Sequence, residues 1–325
     1  MMSVQGSKER ARWKATEDQA GVRLETFVRQ CLPHLSRRES AQAIAENAFS
    51  VNGRSAKKGD RLNEGDIVTF DGAEHWLAEQ PVAAQNSYLT IVYEDTEILV
   101  VDKPAGMATH GFSGQDRDTL ANVLIAWRPE LSCIGNSRWE PGLVNRLDRE
   151  TSGLLLVAKN QQAFGYLREQ FRRRQIKKEY WALVWGDAAP SGSISIPLAH
   201  DSSDKARMQV RKDSKTDQKP LKSWRALTRF RKLATNGEMS LLEVAMETGV
   251  THQIRVHLAA VGHPIVGDAL YGTDRESLTL KRHFLHACRL EFAHPASGEI
   301  LGVDSPLPAE LRSFMRRVKM DCLGG

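Results

Sequence analysis

One stretch of nineteen residues, 142–160, constrains this chain most, because it joins a charged turn to an apolar strand. Its sequence is GLVNRLDRETSGLLLVAKN, with Asp148 between Arg146 and Arg149. The apolar run at 154–158 predicts a buried strand. A carboxylate on the turn before such a strand is held by a rigid scaffold and can be reached by a ligand. On spacing alone, an ordinary Arg–Asp pair on a surface turn is the more common explanation.

The rest of the chain mixes strand and helix periodicities without a regular β-α-β alternation. This order favours an α+β fold over a doubly wound sheet. Strands are predicted over 91–95, 98–101, 176–185, 242–246, 285–290 and 300–303, and helices over 120–127, 161–174, 251–261 and 308–318. In the helix over 251–261, Thr251 is the predicted N-cap and Ile254, Leu258 and Val261 form the predicted buried side.

Composition indicates a globular protein whose mild positive charge fits a polyanionic partner but does not require one. The 325 residues suit two domains, and the net charge is +5. Eleven basic residues and two acidic ones lie within 205–232, which predicts a long basic hairpin insertion. The four cysteines form no CxxC pair, so a disulfide framework or zinc site is not expected. Without a signal peptide or an apolar run of ~20 residues, a cytoplasmic location is expected and membrane association is not.

A compact pattern of two short helices and a hairpin begins near residue 21. Leu24, Phe27, Val28 and Cys31 share a helix face, Ser36 with Glu39 forms a capping box, and Asn52-Gly53 is a hairpin turn. The pattern over 21–72 resembles the alpha-L RNA-binding domain found in small-subunit ribosomal protein four. Asn47 stands where that family often has glycine, and asparagine tolerates the left-handed backbone.

The resemblance implies that this small α/β domain binds RNA phosphates through exposed basic side chains. A solvated charged face is the alternative for each of them. The residues are Arg37, Arg38, Arg54, Lys57, Lys58 and Arg61.

The predicted domain boundaries follow from these patterns. Residues 1–20 are polar and expected to be a flexible N-terminus, residues 21–72 form the small domain, and residues 73–87 form a linker around Pro81. The large domain occupies 88–325.

Four segments of the large domain resemble the RluA-type pseudouridine synthase family in the expected order. They are DKPAGM (102–107), RLDRETSGLLL (146–156), KEYWALVWG (178–186) and THQIRVHLAAVGHPIVGD (251–268). The resemblance implies a mixed, largely antiparallel central sheet, the pseudouridine synthase fold. It also implies one cleft with Asp148, Tyr180 and Arg255 as catalytic residues, and Arg146 beside the aspartate. Further side chains expected to contact the substrate are Asn145, Thr151, Lys178, His252 and Gln253.

Isomerising uridine to pseudouridine involves no redox change and no energy source, so no nucleotide, metal or other cofactor is expected. Asp148 acts either as a nucleophile at the anomeric carbon or as a base at the neighbouring ribose carbon, and the sequence leaves both open. Arg255 is expected to keep Asp148 ionised, Tyr180 to stack on uracil, and Arg146 to fill the space left by a flipped nucleotide. His252 and His257 are five residues apart, which is not the spacing of a helical zinc pair.

Two departures from the family pattern bear on the substrate. Asn145 stands where many members have histidine, and Val250 stands where many have arginine. The resemblance implies large-subunit ribosomal RNA as the substrate, because well-known family members with such an RNA-binding domain act on it, and transfer RNA is the alternative. A different class remains open, an RNA-binding protein that keeps the scaffold without turnover. A monomer is the default expectation.

Overall fold

The computed structural model describes residues 11–77, 81, 83–84, 88–112, 116–204, 207–211, 222–272 and 280–320. The chain divides into two compact units. One comprises Met1–Val82 with Gly111–Arg117, and the other comprises Ala83–His110 with Asp118–Gly325. No helix in the described ranges is both long and apolar enough to cross a membrane.

The small unit packs two helices on a four-stranded antiparallel sheet. Its elements are β1 (Arg12–Lys14), α1 (Leu24–Cys31), α2 (Arg37–Ala45), β2 (Phe49–Val51), β3 (Arg54–Ser55) and β4 (Ile67–Phe70). The strand order in the sheet is β1-β4-β2-β3. The capping box is confirmed, since the Ser36 hydroxyl accepts from the Glu39 N–H and the Glu39 carboxylate accepts from the Ser36 N–H. Asn47 has φ 57°, so the predicted left-handed backbone is confirmed.

Long-range packing extends this unit beyond the limits predicted from local patterns. Residues 12–14 lie in the tail that was expected to be flexible, yet they form β1 and pair with β4, with Trp13 opposite Val68. Ala15 is buried behind them. At the other end Trp76, in the predicted linker, is only 4 % exposed and packs into the same core. Residues 1–10 and parts of 78–87 lie outside the described residues.

The large unit is built around a nine-stranded sheet. The strands of that sheet are β5 (Thr90–Glu94), β6 (Ile98–Lys103), β7 (Ser152–Ala158), β8 (Lys177–Trp185), β9 (Ser191–Ile194), β13 (Thr228–Thr235), β14 (Met239–Met246), β15 (Leu285–Ala293) and β16 (Ile300–Asp304). The unit also contains β10 (Leu198–His200), β11 (Met208–Val210) and β12 (Ser223–Trp224), which form a separate sheet. Its helices are α3 (Leu120–Trp127), α4 (Gln161–Arg172), α5 (Gln253–Ala260) and α6 (Ala309–Arg317).

The sheet confirms the predicted α+β class. Its order is β5-β6-β7-β15-β8-β14-β13-β9, with β16 beside β15. All pairings are antiparallel except β7 with β15, which is parallel. Every residue of β7 is buried, as expected for a central strand that lacks polar alternation. The turn that carries Asp148 therefore leads into the most deeply buried part of the sheet.

Two local predictions in the large unit differ from the structure. Thr251 does not cap α5; the helix starts after His252, whose left-handed φ of 56° turns the chain into it. Val261 follows the last helical residue and is 41 % exposed, whereas Ile254 and Leu258 are buried as predicted.

The basic insertion contributes β11 and β12 to a three-stranded sheet of order β11-β10-β12. Its residues 205–206 and 212–221 lie outside the described residues.

Candidate active site

The loop that carries Asp148 is fixed by buried polar groups on both sides. The Thr109 hydroxyl donates to the Leu147 carbonyl (2.7 Å) and accepts from the Leu147 N–H (3.1 Å). The Nζ of Lys103, a fully buried side chain, donates to the carbonyls of Pro104, Met107 and Arg149 (2.8, 2.7 and 3.1 Å). Burial lowers the pKa of Lys103 to about 7. These bonds pre-organise the turn before any ligand binds.

Arg255 joins two carboxylates at the floor of a cleft. Its Nε and Nη2 donate to the two oxygens of Asp268 (both 2.8 Å), and its Nη1 donates to Asp148 Oδ2 (3.0 Å). Burial acts to lower the pKa of Arg255, but the bonds to Asp268 and Asp148 outweigh it and the pKa is raised. The pKa of Asp268 is lowered, because the Arg255 bonds outweigh its burial. The guanidinium is thus permanently charged and oriented toward Asp148.

His252 faces the same oxygen of Asp148 from the start of α5. Its Nε2 lies 3.8 Å from Asp148 Oδ2, and its Nδ1 lies 2.9 Å from the Tyr271 hydroxyl. That hydroxyl accepts from the backbone N–H of Met208 (2.8 Å). Burial lowers the pKa of His252, which favours the neutral imidazole.

Asp148 keeps one oxygen unoccupied. Both contacts above fall on Oδ2, and Oδ1 makes no hydrogen bond to any residue the structure describes. The side chain is 20 % exposed, so a ligand in the cleft can reach it. This oxygen is available as a nucleophile or a base.

Tyr180 lines the same cleft from the centre of β8. It is 4 % exposed, and burial followed by the nearby Asp148 charge raises the pKa of its phenol. The phenol is therefore neutral at physiological pH. Its hydroxyl makes no hydrogen bond to the described part of the chain, so a ligand would supply the partner.

The cleft has a volume of about 1000 Å³, at the upper end of the range for ligand pockets. One wall is the turn with Asp148, and the second is the segment 246–255, which runs from the end of β14 to the start of α5. The third is the basic face of α4 and the residues after it. The basic side chains that line it are Arg146, Arg168, Arg172, Arg174, Lys178, Arg225 and Arg255. An RNA strand, which carries one negative charge per nucleotide, suits such a lining.

The structure brings every predicted cleft residue to this site, although not all in the predicted role. Asn145 accepts the N–H of Leu156 in β7 (3.1 Å), so its amide supports the scaffold. The Thr151 hydroxyl is bonded to His283 (2.8 Å) and is buried. Gln253 is 2 % exposed, and the geometry is against direct substrate contact by this residue or by Thr151.

Gln253 instead fixes the loop before α5. Its Nε2 donates to the Leu227 carbonyl and the Thr228 hydroxyl, and its Oε1 accepts from Thr248 and the Val250 N–H. Arg146, by contrast, is exposed and has no hydrogen bond or ion pair with any described residue.

Several residues of the site were not selected from sequence. Asp268 and Tyr271 lie after α5, and Arg255 stands with its guanidinium carbon 5.1 Å from the Tyr271 ring centroid. His283 is buried behind Thr151, and burial lowers its pKa to about 4. Asp268 is the last residue of the THQIRVHLAAVGHPIVGD segment, so the motif includes this position but does not indicate that it pairs with Arg255. Nothing local to Tyr271 or His283 pointed to the cleft.

In the small unit the basic residues Arg37, Arg38, Arg54, Lys57, Lys58 and Arg61 are all exposed. Arg37 pairs with Glu25 (3.0 Å) and Arg61 donates to the Gly21 carbonyl, whereas the others have no recorded partner among described residues. In the whole part of the chain that the structure describes, no group of three or more His, Cys, Asp or Glu side chains could hold a metal.

Comparison with known proteins places this geometry in a family. The RNA pseudouridylate synthase family matches residues 97–260, and the S4 domain matches residues 22–68. An uncharacterized RNA pseudouridine synthase of Chloroflexus aurantiacus is 40 % identical over 93 % of this chain and 91 % of its own. A protein of Nitrosomonas europaea named ribosomal large subunit pseudouridine synthase D is 34 % identical over 92 % of this chain and 85 % of its own.

Comparison with solved structures supports the same family. Human RNA pseudouridylate synthase domain containing 4 aligns with a TM-score of 0.55 and 26 % identity, over 71 % of this chain and 93 % of its own. The chain therefore belongs to the RluA-type family of RNA pseudouridine synthases, with an S4 domain at its N-terminal side.

Proposed function

We propose that this enzyme converts specific uridines of large-subunit ribosomal RNA to pseudouridine, with Asp148 as its catalytic carboxylate. The observation that carries the proposal is the one-sided binding of Asp148, whose Oδ2 faces Arg255 and His252 while Oδ1 has no hydrogen bond to a described residue. The ribosomal target is supported by the S4 domain and by relatives named ribosomal large subunit pseudouridine synthase D. We further propose that the protein acts as a monomer in the cytoplasm.

The reaction breaks the bond between ribose C1′ and uracil N1 and forms a bond from C1′ to uracil C5. The proton on C5 is lost and N1 gains one, so atoms and electrons balance without a co-reactant. Oδ1 of Asp148 starts the reaction either by attacking C1′ or by taking the proton of C2′. In both routes Arg255 donates a hydrogen bond to Oδ2 and thereby orients the carboxylate.

Tyr180 provides a wall for uracil and a proton carrier for the last step. Its ring lines the cleft beside Asp148, where it can stack on the base. Because its phenol is neutral and lacks a partner among the described residues, the hydroxyl is free to bond to the base. We propose that its hydroxyl oxygen takes the C5 proton while its own hydroxyl proton passes to solvent, so that the phenol ends neutral.

The target uridine has to leave its stack to reach Asp148, which costs a few kcal/mol. Arg146 is suited to occupy the vacated space, because it is exposed at the cleft and has no recorded partner in the described residues. Its guanidinium can stack on neighbouring bases and contact phosphates.

A mapping experiment tests the proposal. Pseudouridines are mapped in total RNA of a deletion strain complemented with wild type, Asp148→Asn or Asp304→Asn. Asp304 is a matched control, because it also pairs with an arginine (Arg289, 2.7 Å) but lies outside the cleft. We expect at least one position of large-subunit RNA to lose its modification in the deletion and in Asp148→Asn only. Loss confined to transfer RNA would instead support the alternative substrate, and no loss would support an RNA-binding scaffold without turnover.

A further inference from the structure

Lys178 is a buried ammonium in the cleft that has no anionic partner in the described structure. It lies two residues before Tyr180 on β8, so both side chains leave the same face of the strand. Lys178 is 9 % exposed and lines the cleft. Its Nζ has no hydrogen bond or ion pair to any residue that the structure describes. The aromatic ring of Phe171, with its centroid 5.5 Å away, is its recorded contact.

Burying a cation without a counterion is unfavourable, and in most proteins a partner accompanies it. Here burial lowers the pKa of Lys178 to about 8, with no carboxylate acting to raise it. The group is still mainly protonated at neutral pH. A site that keeps such a charge without a partner gains most when an anionic ligand enters.

The loop that faces Lys178 leaves space for that ligand. A Cβ built on Gly249 would lie 3.9 Å from Nζ, with no other atom within 4 Å. The backbone N–H groups of Gly249 and Thr251 make no hydrogen bond to the described residues. The loop leads into the amino end of α5, where the helix dipole favours negative charge.

This loop is also rigid where it borders the space. Gln253 ties Thr248 and Val250 together and anchors both to Leu227, as described for the cleft. A pre-organised loop binds a ligand without the entropic loss of ordering the chain first.

We propose that Lys178, the Gly249–Thr251 backbone and the amino end of α5 form a subsite for one backbone phosphate of the RNA strand that enters the cleft. The inference deepens the proposed function and rests on it in taking this cleft as the RNA site. The subsite would fix the strand beside Tyr180 and thereby set how far the target nucleotide reaches toward Asp148.

The test is RNA binding by the full-length protein, measured by filter binding from 50 to 300 mM KCl. The probe is an unmodified transcript of large-subunit ribosomal RNA. The variants are Lys178→Met, Lys178→Arg and Gly249→Ala. Lys177→Met is the matched control, since Lys177 precedes Lys178, is exposed on the opposite face and pairs with Glu291 (2.5 Å).

We expect Lys178→Met to lose about tenfold in affinity at low salt and to reduce the slope of log affinity against log salt by about 1, because one phosphate contact disappears. Lys178→Arg should keep the slope. Gly249→Ala should weaken binding although the lysine is intact, because its methyl group would fill the space at van der Waals distance from Nζ without a clash. Lys177→Met should bind like wild type.

Two results would overturn the subsite. Affinity and slope of Lys178→Met within twofold of wild type would mean that the ammonium only packs on Phe171. Reduced affinity with an unchanged slope would mean that Lys178 contacts a neutral group such as a uracil carbonyl. Gly249→Ala keeps the test valid if Lys178→Met fails to fold. Because the readout is binding, a failed Asp148 mapping experiment would not be confused with failure of the subsite.

Discussion

Replacing Asp268 with asparagine tests the idea that a second carboxylate positions Arg255 for catalysis. The Asp268 side chain is fully buried and accepts four hydrogen bonds, from Nε and Nη2 of Arg255 and from the N–H groups of Leu270 and Tyr271. An asparagine carbonyl can retain the bonds on one oxygen. Its NH₂ group would then face the Arg255 Nε–H, donor against donor.

The expected losses of stability and of reaction rate follow from this geometry. Removing one partner of a buried ion pair costs about 3–5 kcal/mol. Asp148 remains as a counterion to Arg255 (3.0 Å), and one oxygen acceptor survives, so the lower end applies and we expect about 3 kcal/mol. Arg255 then keeps only its Nη2 bond to residue 268, so its guanidinium is less firmly oriented toward Asp148 Oδ2 and the rate of pseudouridine formation should fall at least tenfold.

Stability is measured by urea unfolding with tryptophan fluorescence, since five of the seven tryptophans lie in the large unit. The rate is measured in single turnover as tritium release from RNA labelled at uracil C5, because that hydrogen leaves when C5 joins the ribose. Asp304→Asn is the control, and its exposed pair should contribute less than about 1 kcal/mol.

The double variant Arg255→Met/Asp268→Asn separates positioning from simple stability. Removing both charges leaves no unpaired buried charge behind. The double variant should therefore lose less unfolding free energy than the two single variants lose in sum. Its rate should nevertheless stay as low as that of Arg255→Met. If Asp268→Asn unfolds within 0.5 kcal/mol of wild type (about the scatter of surface substitutions) and keeps at least half the rate, the positioning role is wrong.

Three further outcomes follow from single features. Asn145→Ala should destabilise the protein in urea by about 1–2 kcal/mol, because it leaves the buried Leu156 N–H unsatisfied, and an unchanged midpoint would contradict this. Burial in the folded protein lowers the pKa of His283 to about 4 from 6.5, so between these pH values the unfolded chain binds more protons than the folded one. The free energy of unfolding should therefore drop by about 3 kcal/mol as pH falls from 6.5 to 4. His283→Gln should flatten that drop in melting measured against pH. Glutamine at four exposed positions of the S4 domain together should weaken RNA binding and reduce its salt slope by about 3 while melting is unchanged, and an unaltered slope would mark a merely solvated face. Those positions are Arg38, Arg54, Lys57 and Lys58.

Features set by neighbouring residues were predictable from the sequence. The Ser36–Glu39 capping box, the Asn52-Gly53 turn and the strand after Asp148 depend on side chains within a few positions, so local chemistry determines them. The motifs also selected Asp148, Tyr180 and Arg255, and the structure brings all three to one cleft.

Features that depend on distant contacts were decided by the tertiary structure. Residues 12–14 join the sheet because β4 offers an open edge, and Trp76 is buried because the small core reaches it, which no local pattern records. The same holds at the site, where Asp268 orients Arg255 and the hydroxyl of Thr151 turns to His283. The sequence alone determined which residue types could carry the chemistry. Only the packed structure decided which oxygen of Asp148 has no hydrogen bond and which buried cation of the cleft, Lys178, has no partner among the described residues. Both depend on what the fold brings within a few ångströms.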